Sequence, residues 1–403
     1  MGIPRRHVVG LLLSCFLLGS CGPKRGAAGS EARDPRAQLE APIQGPLVVL
    51  LQGAEHEDVS LRQQALYLLV KHTEEPGGGA YAARALYDPS PYVKRQGIRA
   101  LLERWEEAPA REALRGLVAR EDVDAYTRAI AGVGLAHRGD TEVLAVFEEA
   151  WRAAPDWWNS APLALPAAIL GSEEALASLQ SSLSRGDFPL ELAFFDACGR
   201  SGLEALVPAL IEGQPRLEEE LWIPVGVALV RLGSPAGKSL LEAALDTTEE
   251  EQRMEVVDFL VDLDGEVARD LLRQLAGQDR PSGFYAGLVE VAQGRAPMDL
   301  ALDALAHPDR EMRTLALRAL ASRASRDREI LGTRQWRALR DAALEALEDP
   351  EEIVVVEAVR TLGTVGGTAE SKTLDKMLAD EALSFRLEVA SAILAIEARS
   401  GAS

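Results

Sequence analysis

The side chains able to do covalent or metal chemistry are few and scattered. There are three cysteines, Cys15, Cys21 and Cys198, and five histidines, His7, His56, His72, His137 and His307. A zinc centre needs Cys and His at short, repeated spacings, and none occurs. His56-Glu57 is a lone His-Glu pair. The stretch from Gly363 to Gly367 resembles a phosphate loop only in glycine content. It lies between two helical patterns, where a C-terminal cap and turn is expected. No nucleophile elbow is present. Pairs such as Asp258 and Asp262 single out nothing in a chain with 63 acidic residues. No catalytic, cofactor-binding or metal-ligating residue is therefore expected, and no small-molecule substrate is indicated. Cys198 sits in an apolar helical pattern and reads as a buried free thiol. That leaves Cys21, whose chemistry depends on what precedes it.

Arg5 and Arg6 are followed by an apolar run, Val8 to Leu18, and then by Gly19-Ser20-Cys21. Eleven apolar residues are too few to span a bilayer, which takes about 20. They suit a secretory leader. The sequence Leu18-Gly19-Ser20-Cys21 resembles the bacterial lipobox, with an aliphatic residue at −3 and small residues at −2 and −1. The resemblance implies that residues 1–20 are removed and that Cys21 is acylated, which anchors the chain in a membrane through lipid. Acyl chains add about 0.8 kcal/mol per CH₂, and two or more give stable anchoring. Gly22 follows Cys21, so the Asp that retains enterobacterial lipoproteins in the inner membrane is absent. The expected location is the bacterial cell envelope, on the outer membrane facing the periplasm. With Cys21 acylated, Cys198 has no partner for a disulfide. Residues 21–45 are rich in Gly, Ala, Pro and charge and read as a flexible tether.

The formal charge is −20, and it becomes −22 without residues 1–20. This excludes general nucleic-acid binding, which rests on neutralising phosphates with Lys and Arg. Only 5% of residues are aromatic against 47% apolar, which favours packing of helices through small residues. Six of the 43 basic residues are Lys. Such a skew matches a GC-rich genome, so an Arg cluster is a weaker functional signal here than elsewhere.

The elements that would carry any site repeat along the chain. VKRQGIRAL begins at 93, MRTLALRAL at 312 and VVVEAVRTL at 354. Each has apolar or small residues at positions 1, 5, 6 and 9, which is one face of a helix. The frame also fits starts at 61, 127, 161, 190, 221, 252, 284 and 385. Nine of the ten spacings are 28 to 34 residues and one is 42. A second amphipathic segment precedes each nonamer, as in EALRGLVAR (112–120). Each unit is thus helix, turn, helix, and no unit can bury its apolar face alone.

The Asp-Pro turns at 88–89 and 349–350 and these second helices resemble the HEAT repeat. The resemblance implies an all-α fold: a right-handed α-α superhelix, or solenoid, of about eleven helical hairpins over residues 46–400. At the second nonamer position the outer units carry Arg62, Lys94, Arg128, Arg313 and Arg386, with Val355 as the exception. The middle units, about 155–295, have Pro162, Glu191, Trp222, Arg253 and Tyr285. In the family this basic residue joins a ladder with turn aspartates, so the ladder should be largely missing in the centre. Pro162, Pro166 and Pro224 should kink or shift their helices. The length between 321 and 335 should form an enlarged loop or an extra helical turn. His56 and His307 occupy the turn position of Asp88 and Asp349 and should serve as turn or cap residues. Resembling the deoxyhypusine hydroxylases would require several His-Glu pairs, and one is present.

Two surfaces could receive a partner. Trp157, Trp158, Trp222, Phe284 and Tyr285 fall in the divergent middle, and aromatics are favoured at binding hot spots. Trp222 and Tyr285 replace a basic position and could be partly exposed. Residues 310–340 carry nine Arg and three acids, whereas 341–357 carry seven acids and no base. Arg310, Arg313, Arg318, Arg323, Arg326 and Arg328 could dock an acidic partner or a lipid headgroup. The expected function is a non-enzymatic scaffold or adaptor that binds another envelope protein. The alternatives are a HEAT-like lyase or hydroxylase with an unrecognised site, and a purely structural spacer.

Overall fold

The computed structural model describes residues 45–400 except 74–76, 105, 188–191, 248, 264, 380 and 381. The leader, Cys21 and nearly all of the tether lie outside these residues. Every regular element described is helical, and in chain order the helices fall two to a sequence repeat. They are α1 (Pro46–Ala54) with α2 (Val59–His72), α3 (Gly77–Ala85) with α4 (Pro91–Glu103), and α5 (Ala108–Val118) with α6 (Ala125–Ala136). Next come α7 (Leu144–Ala153) with α8 (Trp157–Ile169), α9 (Glu173–Ser184) with α10 (Leu192–Arg200), and α11 (Val207–Gly213) with α12 (Trp222–Arg231). Then follow α13 (Pro235–Leu245) with α14 (Glu250–Val261), α15 (Glu266–Ala276) with α16 (Pro281–Ala292), and α17 (Asp299–Ala304) with α18 (Arg310–Arg326). The last are α19 (Thr333–Glu345) with α20 (Glu352–Val365), and α21 (Thr368–Met377) with α22 (Leu383–Ser400). The all-α class is thereby established.

Among the described residues the nonamers fall on the second helices, apart from Leu221, which directly precedes one. Their apolar frame is the buried face. Val93, Gly97, Ile98 and Leu101 are buried in α4, as are Met312, Ala316, Leu317 and Leu320 in α18. Small residues set how closely helices approach. A Cβ on Gly237 of α13 would lie 2.5 Å from the Gly226 carbonyl oxygen of α12.

The described residues form two compact units, 53–259 and 45–52 with 260–400. In the first, α2 packs on α4, α4 on α6 and α6 on α8. Phe147, Leu165, Phe195 and Leu229 belong to one continuous core there. In the second, α16 packs on α18, α18 on α20 and α20 on α22. Its cores centre on Leu320 and Leu339, and on Leu362 and Ile393.

Turn chemistry explains the basic position. Arg62 donates through Nε and Nη2 to both carboxylate oxygens of Asp88 (2.9 and 3.0 Å), and through Nη1 to the carbonyls of His56 and Glu57. Arg313 repeats this with Asp349 (2.8 and 2.9 Å) and the carbonyls of His307 and Pro308. Arg128 donates to the Val118 carbonyl and Arg253 to that of Leu245. The geometry these four turns share is a clamp on the hairpin's own turn; the aspartate ladder is added where the next turn offers one. His56 and His307 accept from the backbone N–H two residues on, as Asp88 and Asp349 do. They are turn residues.

In the middle, left-handed glycines finish the second helices. Gly171 (φ 100°) and Gly233 (φ 77°) let Ser172 and Ser234 donate back to Ala167 and Leu229. This closure satisfies helix-end carbonyls without a side-chain clamp. Helix α8 runs unbroken through Pro162 and Pro166, so neither ends it. Pro224 is the third residue of α12, in the first turn, where its missing N–H breaks no intrahelical bond. The long spacing before 354 contains both an extended helix, α18 with 17 residues, and a loop.

Candidate functional site

The turn between α3 and α4 reads Tyr87-Asp-Pro-Ser-Pro-Tyr92. Pro91 opens α4, where proline is pre-organised, and Asp88 is held by Arg62. With the backbone fixed by these two devices, Tyr87 is 75% exposed and Tyr92 61% exposed. The next turn, between α5 and α6, lies alongside. Arg120 stands 5.0 Å over the Tyr87 ring, donates to the Leu86 carbonyl and pairs with Asp122. Arg95 stands 5.8 Å over Tyr92 and reaches Asp124 at 3.5 Å. Asp122 holds the Arg120 guanidinium above its ordinary basicity. Two aromatic rings with guanidiniums over them form a surface suited to apolar and aromatic contacts with polar flanks. This edge escaped sequence reasoning, which looked for aromatics in the divergent repeats. The available signal was a tyrosine on each side of a Pro-rich turn.

Among the aromatics expected to bind, only Trp158 is openly exposed, at 48%. Trp157 is half-buried and donates its indole N–H to the Asp187 carbonyl at 2.6 Å. Trp222 is half-buried, with an enclosed Nε1. Tyr285 is buried at 6% exposure, against the expectation that it faces solvent. Its helix is enclosed: every residue from Tyr285 to Ala292 is buried, so α16 has no face there that presents a side chain to solvent. Phe284 is half-buried and stacked on His307, centroids 5.5 Å apart. The structure does not gather these five into one site.

The arginine patch divides. Arg313 is the turn clamp just described. Arg310 pairs with Glu351, Arg318 with Glu357 and Arg323 with Asp327. These four are engaged within the chain. Arg326 and Arg328 are exposed. Arg318 also begins a second ladder that the sequence did not reveal. Glu357 accepts from Arg318 and Arg360, and Arg360 donates to both oxygens of Glu388. It links nonamer positions 7 and 4 across α18, α20 and α22.

A cleft of about 310 Å³ is lined by Arg111, Arg115, Arg138, Asp140 and Glu142 among others. Arg115 donates to both oxygens of Asp140 (2.6 and 2.9 Å) and pairs with Glu142. Arg138 caps the carbonyls of Gly134 and Leu102. These groups close the joint between α6 and α7. Burial pushes the Cys198 thiol above its ordinary value, with Asp196 adding to the effect. Gly366 donates to the Leu362 carbonyl and Gly367 stands at the start of α21, so the glycine-rich stretch is a cap and turn. Among the described residues, no group of three or more His, Cys, Asp or Glu could hold a metal ion. No described helix is long and apolar enough to cross a membrane.

No protein-family model matches the chain. No curated protein matches it either. Among solved structures it is similar to an engineered protein from a structural genomics consortium, at 18% identity and TM-score 0.31, covering 88% of this chain and 99% of that one. Human deoxyhypusine hydroxylase in complex with glycerol is similar at 17% identity and TM-score 0.30, over 79% and 95% of the two chains. Kap121p bound to Nup53p is similar at 14% identity and TM-score 0.36, over 88% of this chain and 42% of that one. Likeness at this level carries no statement about activity or partners.

Proposed function

We propose that this chain is a protein-binding scaffold of the bacterial envelope, without catalysis of its own, tethered through acylated Cys21 to the outer membrane on its periplasmic side. The observation that carries the binding reading is the exposed Tyr87–Tyr92 edge with Arg95 and Arg120 over its rings. Tyr and Arg dominate binding hot spots because each combines a large contact area with directed polar groups. Covering both rings would contribute on the order of 5 kcal/mol before the costs of association. The tether reading rests on Leu18-Gly19-Ser20-Cys21 alone.

The test is crosslinking in intact cells followed by affinity capture and mass spectrometry, using wild type, Cys21→Ala and Tyr87→Ala/Tyr92→Ala. One stoichiometric envelope partner that crosslinks near Tyr87, and is lost in the double variant, is the expected result. Its loss in Cys21→Ala would show that the lipid positions the scaffold. A partner indifferent to both variants, or no partner at all, would refute the reading.

A further inference from the structure

Residues 326–337 differ electrostatically from the rest of their unit. Arg326, Arg328, Arg334 and Arg337 are all exposed, and none forms an ion pair or hydrogen bond with any described residue. Upstream in the same run of arginines, Arg310, Arg313, Arg318 and Arg323 each hold a carboxylate. Asp327 is taken by Arg323, so four guanidiniums face the single carboxylate of Glu329 within this segment. Four cations without a partner among the described residues stand out in a chain of formal charge −20. Arg334 moreover sits in the first turn of α19, which contains no acid. A cation there opposes the helix dipole, so helix stability does not account for it.

Ile330 lies between the two arginine pairs and is 81% exposed, the highest value among the exposed large apolar residues. Its backbone is fixed. Ile330 and Leu331 donate to the Asp327 carbonyl, Gly332 donates to the Gln335 side chain, and Trp336 packs against the core beside Leu331 and Leu339. The loop therefore presents Ile330 outward from a held frame. Arg399 feels the same excess of charge: burial, and then Arg328, depress its guanidinium to about 10.

We propose that Arg326, Arg328, Arg334, Arg337 and Ile330 form a docking surface for an acidic segment of a partner protein that also carries an apolar side chain. The inference rests on the scaffold reading and supplies the chemistry of one partner. Guanidinium forks take carboxylates bidentately, and Ile330 needs an apolar contact to leave water. A flat anionic membrane fits less well. It would also meet the exposed acids Asp341, Glu345, Glu348 and Glu352 that follow in the chain, whereas a peptide can follow the basic segment alone.

The probe is a fluorescein-labelled dodecapeptide of Glu-Glu-Leu repeats, with Lys-Lys-Leu repeats as control. It is titrated by anisotropy against the full chain, Arg326→Glu/Arg334→Glu, and Ile330→Asp. All three positions are exposed, so the variants should melt with wild type. The expected result is binding of the acidic peptide alone, weakened at least tenfold between 50 and 200 mM salt and at least tenfold in each variant. Equal binding by the variants, or none by wild type, overturns the proposal. So does vesicle binding (30% phosphatidylglycerol) lost in the same variants without peptide binding, which would assign the surface to lipid. Sedimentation velocity showing a dimer lost in those variants would assign it to a second copy and overturn it equally. If these arms fail while Tyr87 still crosslinks to a partner in cells, the scaffold reading stands and this surface falls.

Discussion

Replacing Arg360 with alanine isolates the ladder that joins the last three second helices. Arg360 donates to Glu388 at 2.8 and 2.5 Å and to Glu357 at 3.2 Å. Glu388 is 6% exposed and Glu357 5%, while 34% of the Arg360 side chain still meets water. Glu357 keeps Arg318. Glu388 would lose both guanidinium bonds inside the packed joint between α20 and α22. Breaking a buried pair costs about 3–5 kcal/mol, and the partial exposure of Arg360 points to the lower end, about 3 kcal/mol. In a stacked array this loss stays local. Hydrogen exchange of peptides from 352–400 should therefore speed by about 100-fold at protected amides, while peptides from 91–136 keep wild-type rates. Arg360→Met/Glu388→Leu should recover most of the protection, since an apolar pair of similar volume leaves no buried charge behind. Unchanged exchange in Arg360→Ala, or a double variant as damaged as the single one, would refute the assignment of stability to this ladder.

Gly237→Ala should destabilise by about 1–3 kcal/mol, seen as a lower melting temperature by circular dichroism, because its Cβ would meet the Gly226 carbonyl at 2.5 Å. Burial, reinforced by Lys71, depresses His72 to about 3. The unfolded chain binds that proton from about pH 6.5 downward, so stability should fall between pH 6.5 and 5 by up to about 2 kcal/mol, and His72→Gln should flatten urea midpoints over that range. Arg313 holds the Asp349 carboxyl below the usual range. Its contribution is present above the unfolded value of about 3.9 and is lost as pH falls through the folded one; an acid titration of Asp349→Asn should lack that loss. Cys198 should resist a thiol reagent in native buffer and react fully in urea, since its side chain is buried and its thiolate disfavoured.

The second helices were legible because burial imposes one spacing on them. Val354, Ala358, Val359 and Leu362 are buried at the positions the nonamer assigns. The Arg62 and Arg313 clamps were legible in part. The aspartate partners could be read from sequence, whereas the carbonyl contacts depend on a turn geometry that residue types do not encode. The second ladder was missed because Arg318 and Glu357 are 39 residues apart, and an acidic chain offers many such pairs. Tyr285 misled for a related reason. Its helix is buried on every side from Tyr285 to Ala292, which the residue types of one repeat do not record. The Tyr87–Tyr92 edge went unnoticed because exposure is set by how neighbouring turns pack, which no single repeat records.

The turn clamps also bear on how such a chain drifts over generations. Arg62 serves Asp88 and two carbonyls at once, and Arg313 does the same around Asp349. An ammonium cannot reproduce that fork. At these turns the choice of Arg over Lys therefore answers a geometric demand, one confined to a few positions. Carried into a host whose mutations favour AT, this fold would be expected to exchange exposed cations such as Arg84 and Arg185 for Lys while holding Arg at 62 and 313.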